Sequence, residues 1–175
     1  MAWLTRQQRK ARGTELADRN YVQYGISTTV DASTGSLTHI SNISTGTGLA
    51  SRKDLKIKLS NLQYRYILTP ADTVNTLRVL IVQSKATIAV STSDFFRSTS
   101  GGSALGFSEP ANTENCFVLA DHIIHAGDTN ASCEGKITKF PQPVVEYTST
   151  TGSSVSRGGI YVVMWSDSNA VAHRS

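Results

Sequence analysis

Charge is scarce in this chain. Asp, Glu, Lys and Arg make up 17% of its 175 residues, against about 25% in an average globular protein. Outside residues 1–20 there are no runs rich in Ala, Glu, Lys and Leu, so a helical enzyme is a poor fit. Cysteine is limited to Cys116 and Cys133. Two cysteines are too few for a disulfide scaffold and lack metal-type spacing. A bridge between them stays open at this level, although a reducing compartment would oppose it. No window approaches the roughly 18–20 apolar residues of a membrane-spanning helix. The charged N-terminus has no apolar segment behind it, unlike a secretory leader. Synthesis in the cytosol, or in a compartment continuous with it, is therefore expected, with no membrane partner. The sequons at Asn42 and Asn130 should then stay bare.

What remains is 39% hydrophobic residues set in Ser, Thr, Gly and Asn, a mixture suited to one β-rich core with many turns. The net charge is +4 and the pI about 9.2, and its placement says more than its total. Arg6, Arg9, Lys10 and Arg12 fall together with no acid among them, and Arg52, Lys53, Lys56 and Lys58 form a second cluster interrupted by Asp54. Clustered cations suit a polyanion partner; a merely solvated basic face is the plain alternative.

Residues 1–20 stand apart. Thr5 and Gln8 make a capping box that would start a helix at Arg6. Arg6, Arg9 and Lys10 would share a face, and Glu15 pairs with Arg19 at helical spacing. Gly13 weakens the segment by about 1 kcal/mol relative to Ala. An isolated helix of this length is marginal in water. The division expected is a basic arm over 1–20, disordered alone and helical when bound, followed by a β domain over 21–175.

In that domain Ser36–Ser44 reads as a polar strand and Leu55–Leu68 as the longest strand. In the latter, Leu55, Ile57 and Leu59 share one face and Lys56 and Lys58 the other. After Asn61 the apolar phase moves to Leu62, Tyr64 and Tyr66, as a bulge or bend would produce. Leu77–Gln83 is apolar almost throughout and should be central in its sheet. A helical turn is expected at 91–96 and a long loop at 98–115, favoured as exterior. Cys116–His125, Glu134–Phe140, Val144–Thr148 and Gly159–Trp165 read as further strands. About seven or eight strands with long connections imply a two-sheet antiparallel sandwich. The immunoglobulin pattern of Cys, Trp, Cys is not met.

These strand texts resemble a known family. Leu55-Lys-Ile-Lys-Leu-Ser-Asn-Leu-Gln-Tyr-Arg65, with its apolar–basic alternation and Leu-x-x-Arg ending, is similar to the long early strand of satellite tobacco necrosis virus type coat proteins. Capsid proteins of small circular single-stranded DNA viruses look alike there. Thr76–Gln83 resembles their next core strand, Phe117-Val-Leu-Ala-Asp121 their aromatic-x-(Ile/Leu)-Leu-x-Asp segment, and Gly159–Trp165 their last strand. The collinear set spans roughly residues 36–167. Departures are that Arg52 stands closer to the long strand than the family's turn arginine, with no Gly after it, and that the arm is less basic than many.

The resemblance implies an all-β, antiparallel, eight-stranded jelly-roll sandwich with a short basic arm. It implies a structural protein, not an enzyme: a capsid subunit, found in the virion after synthesis in the host cytoplasm or entry to the nucleus. The partners would be about sixty copies of itself in an icosahedral shell and a single-stranded DNA or RNA genome. Arg6, Arg9, Lys10, Arg12 and Arg19 of the arm, with Lys56 and Lys58 of the long strand, would contact genome phosphates. Trp3 would stack on a base or anchor the arm on a neighbouring subunit. No cofactor is expected; calcium at subunit contacts occurs in the resembling group, with Asp128, Glu134 or Asp167 as oxygen donors here. A soluble sandwich that binds nucleic acid or carbohydrate as a monomer is the alternative.

Other centres fit poorly. His122 and His125 differ by three and would point to opposite faces of a strand, leaving only Asp121 with His125, so a shared metal is disfavoured. Four histidines do not furnish a cupin centre. Gly46-Thr-Gly lacks the third glycine of a dinucleotide loop, and neither Ser100-Gly-Gly-Ser nor Thr151-Gly-Ser-Ser is a nucleophile elbow.

Overall fold

The computed structural model describes residues 22–30, 35–48, 50–69, 75–85, 92, 114–126, 131–166 and 173–174. Among them there is no α-helix. The strands are β1 (Thr29–Val30), β2 (Ser36–His39), β3 (Lys56–Lys58), β4 (Leu62–Leu68), β5 (Asn75–Ser84), β6 (Cys116–Ala126), β7 (Ala131–Ile137), β8 (Val144–Tyr147), β9 (Val155–Arg157), β10 (Ile160–Ser166) and β11 (His173–Arg174). The arm over 1–20, the turn expected at 91–96 (Thr92 apart) and most of the loop at 98–115 lie outside the described residues.

The ladders between these strands are all antiparallel and nested, and an isolated bridge between Thr45 and Arg52 is parallel. β5 pairs with β6, β4 with β7, β3 with β8, β2 with β10, and β1 with β11. The chain thus pairs as one long hairpin wound on itself. A further ladder, β10 on β5, joins an outer strand to an inner one and closes a four-stranded sheet in the order β2-β10-β5-β6. β5 and β10 are its two interior strands, as their apolar sequences require. The ribbon β4–β7 and the three strands β3-β8-β9 pack over one face of that sheet. There Val30, Leu68, Leu77, Val79 and Met164 form a buried cluster with Tyr66, Ile124 and Ala131 against it. On the other face Leu80, Val82, Cys116, Val163 and Trp165 are buried together. The arrangement is a sandwich-like, all-β fold.

Two strand expectations change. Leu55–Leu68 is not one strand: it breaks at 59–61 into β3 and β4, which pair with different partners. The reason lies opposite, where Pro141 and Pro143 have no N–H to offer a ladder. One bond bridges the break, Leu59 N–H donating to Pro143 O at 2.7 Å. Among the described residues nine strands have three or more residues, with β1 and β11 as a two-residue pair, instead of eight; the division of Leu55–Leu68 adds one strand and β9 (Val155–Arg157) adds another. Ser36–Ser44 also ends early, at His39. Ser41 leaves the ladder to be buried as a polar hub: its Oγ accepts from Ile160 N at 2.8 Å and its carbonyl from Tyr147 Oη at 2.8 Å.

The layers are tied by polar as well as apolar contacts. Gln83, with no exposure, donates from Nε2 to Gln142 O at 2.7 Å and Gly158 O at 3.1 Å, and accepts from Gln142 N at 3.0 Å. A buried amide with its donors and acceptor filled fixes one register between layers.

Candidate functional site

Lys56 and Lys58 are exposed on β3 while Ile57 between them turns inward against fully buried Val145. The lysines therefore project from the outer surface, as their alternation requires. They differ in one respect. Lys56 Nζ meets Glu146 Oε1 at 2.9 Å, an exposed pair worth about 0–1 kcal/mol. Lys58 stands opposite Val144, with no carboxylate across from it. Arg6, Arg9, Lys10, Arg12 and Arg19 lie outside the described residues.

Three cations absent from the expected set share this outward alternation. Arg65 is exposed on β4 between inward Tyr64 and Tyr66. Lys136 is exposed on β7, diagonal to it across the Gln63 pair. Arg157 is exposed on β9, opposite Glu146 and in line with Lys56. The signal was available in part: the phase change after Asn61 puts Arg65 outward, and Ser132, Glu134 and Lys136 alternate. Arg157 becomes visible only through its register with β8.

The second basic cluster loses one member from the surface: Lys53, Lys56 and Lys58 are exposed, and Arg52 is not. Arg52 is 1% exposed, so it is no phosphate contact. Its guanidinium donates from Nε to Ile43 O at 3.1 Å, from Nη1 to Asp54 O at 2.6 Å, and from Nη2 to Ser149 O at 2.8 Å and to Gly152 O. Its plane lies 3.9 Å above the Tyr147 ring, a cation–π contact. The cation holds two loops together rather than facing solvent.

The histidines behave as their spacing implies. His122 turns inward and His125 outward on β6. His122 Nε2 lies 2.7 Å from Tyr64 Oη, and Nδ1 lies 3.8 Å from Cys133 Sγ. Tyr64 and Tyr66 stack at 6.3 Å beside it, so this same-face pair is packing, not an exposed aromatic platform. Gly135, opposite Tyr64, leaves room for the phenol; a Cβ there would lie 2.2 Å from Tyr64 Oη. His125 meets Thr76 Oγ1 at 3.2 Å. Asp121 is engaged by Arg78 through two bonds, 2.9 and 2.7 Å; this bidentate geometry is strong. Both cysteines are free thiols, and burial pushes Cys116 up to about 11, an inert thiol. Among the described residues no three His, Cys, Asp or Glu groups gather to hold a metal ion. Glu134 is exposed on β7; Asp128 and Asp167 lie outside the described residues.

No protein-family model matches this sequence, and comparison with curated proteins gives no match.

One histidine links the fold to pH. His39 on β2 stacks on Tyr161 of β10 at 4.4 Å, and its Nε2 lies 2.9 Å from Ser41 Oγ. Burial lowers its pKa below the ordinary 6.5. The folded state then resists protonation while the unfolded chain does not, so stability falls as pH drops through 6.5. Urea unfolding at pH 7.5 and pH 5.5 should show a smaller loss for His39→Gln than for the parent chain. Equal losses would mean that this ring is not the sensor.

Proposed function

We propose that this chain is the coat protein of a small icosahedral virus, a jelly-roll subunit that closes into a shell around a single-stranded genome. The observation that carries the reading is the nested pairing of β2 with β10, β3 with β8, β4 with β7 and β5 with β6, with β10 set between β2 and β5. A jelly roll is built from two Greek keys, in which a late strand returns to lie beside an early one. The nested order suits that topology and does not suit a simple meander.

The sequence segments that resemble viral coat proteins support the same reading. They fall on β3 with β4, on β5, on β6 and on β10, the strands that build the two layers. The role is architectural and not catalytic: Asp121, His122 and Gln83 serve packing contacts. Its partners are further copies of itself and the phosphates of the genome, met by Lys58 and by the arm cations.

The test is the particle. Chain expressed without any viral genome is sized by light scattering and negative-stain imaging, with absorbance at 260 and 280 nm. Uniform closed particles with a raised 260 nm signal are expected. That signal should fall when Arg6, Arg9, Lys10 and Arg12 are all replaced by Gln. A stable monomer at every concentration and salt would reject the shell and favour a soluble binding module.

A further inference from the structure

The strands β3-β8-β9 and the ribbon β4–β7 cover the same face of the four-stranded sheet. Gln83 contacts Gln142 and Gly158 towards one end, and Leu77 and Val79 meet Leu68 towards the other. The opposite sides of both groups therefore form one outer surface. It carries Lys56, Lys58, Arg65, Lys136 and Arg157 against Glu134 and Glu146, five cations to two carboxylates. Lys56 is already held by Glu146.

We infer that Lys58, Arg65, Lys136 and Arg157 form a second phosphate track on the folded domain, separate from the arm, which holds single-stranded nucleic acid by its backbone and reads no sequence. The inference rests on the coat-protein reading for the identity of its polyanion. The chemistry of the surface sets the mode. Arginine offers a planar fork that matches a phosphate, and lysine a point charge. The other outward positions of β4 and β7 are Gln63, Ile67, Ser132 and Glu134; none is aromatic, so the ribbon has no stacking platform for bases. Tyr64 and Tyr66, which could supply one, face the core. What the surface offers is charge alone, which positions a backbone and carries no base information. The four cations also rank differently from the alternation-based pair: Lys58 acts and Lys56 is muted by its carboxylate.

The experiment is a salt series of fluorescence-anisotropy titrations of a labelled oligothymidylate into the full chain, held as dissociated subunits and sized in the same buffers. Substituting Arg65→Gln together with Lys136→Gln should reduce the slope of log affinity against log salt by about 1.4, or 0.7 for each phosphate of a single strand that is no longer neutralised. Lys58→Gln should weaken binding more than Lys56→Gln. Glu134→Gln should tighten binding, a gain that misfolding would not produce. An unchanged slope in the double variant overturns the inference. So does a weakening confined to a sulfated polysaccharide probe, which would make that polysaccharide the partner. A chain that binds as described yet never forms particles under assembling conditions would count against the coat-protein reading and leave the track intact.

Discussion

Replacing Arg52 with Ala should destabilise the fold by about 3–5 kcal/mol, a large part of the roughly 5–15 kcal/mol that holds a domain together. The side chain is 1% exposed and donates to four backbone carbonyls, those of Ile43, Asp54, Ser149 and Gly152. Bonds to a charged donor contribute about 1.5–3 kcal/mol each when measured singly, and deletion leaves the acceptors unfilled. The desolvation of the cation offsets part of that sum, which is why the net figure is well below four such bonds. Tyr147 is affected as well: the guanidinium lies 3.9 Å over its ring, while its phenol, pushed up to about 12 mainly by burial, donates to Ser41 O. The Tyr147–Ser41 bond links β8 to the residue that receives Ile160 N of β10. Removal of the cation should therefore loosen the packing between layers and not only the two loops. Arg52→Lys should recover less than half the stability, since a point charge cannot reach carbonyls in a fork or stack flat on a ring. Urea unfolding followed by tryptophan fluorescence checks this. A change under about 0.5 kcal/mol for Arg52→Ala, the range of an ordinary surface site, would show that the network carries no net stability.

Arg52 also marks where sequence reasoning stops. A cation in a cluster with Lys53, Lys56 and Lys58 reads as surface, because cations are rarely buried without partners. Its partners are carbonyls near positions 43, 54, 149 and 152, and a carbonyl leaves no trace in residue type. The alternation of Lys56, Ile57 and Lys58 needed no such information, since a two-residue period alone decides which side faces out. The same holds for the apolar runs of β5 and β10, for the inward Tyr64 and Tyr66, and for the split between His122 and His125. Strand breaks fall between these cases. The phase change after Asn61 announced a disturbance, and Pro141 and Pro143 were plain to read. Only the register of β3 on β8 and β4 on β7 shows that the two features face each other and together divide the ribbon. Arg157 became part of the outer surface by the same route, through a ladder partner that lies eleven residues away in sequence at Glu146.

Gly158→Ala is the second substitution expected to have a large effect, about 2–4 kcal/mol of destabilisation. Gly158 sits between β9 and β10 with φ of +73°, in the left-handed region that costs an L-residue roughly 1–2 kcal/mol. Conformation is only part of it. A Cβ at this position would lie 2.6 Å from Val144 O. That oxygen is backbone in β8 and cannot rotate aside, so the turn itself must shift. Moving the turn displaces Gly158 O, which accepts from the fully buried Gln83 Nε2; the amide then keeps only Gln142 O of its two acceptors, and the N–H left unfilled adds a desolvation penalty. The effect therefore spreads from one turn to the clamp that sets β5 against the second layer. Gly25→Ala is the control: nothing lies within 4 Å of its added methyl, and its φ is not positive, so it should be neutral or stabilise by up to about 1 kcal/mol through the unfolded state. Unfolding curves for the two variants decide the matter, with particle yield as the functional readout. If both behave alike, the turn is plastic and the clamp on Gln83 does not depend on it. If Gly158→Ala alone lowers stability and, in the particle assay of the proposed function, yield as well, the β9–β10 turn is tied to the assembly proposed above.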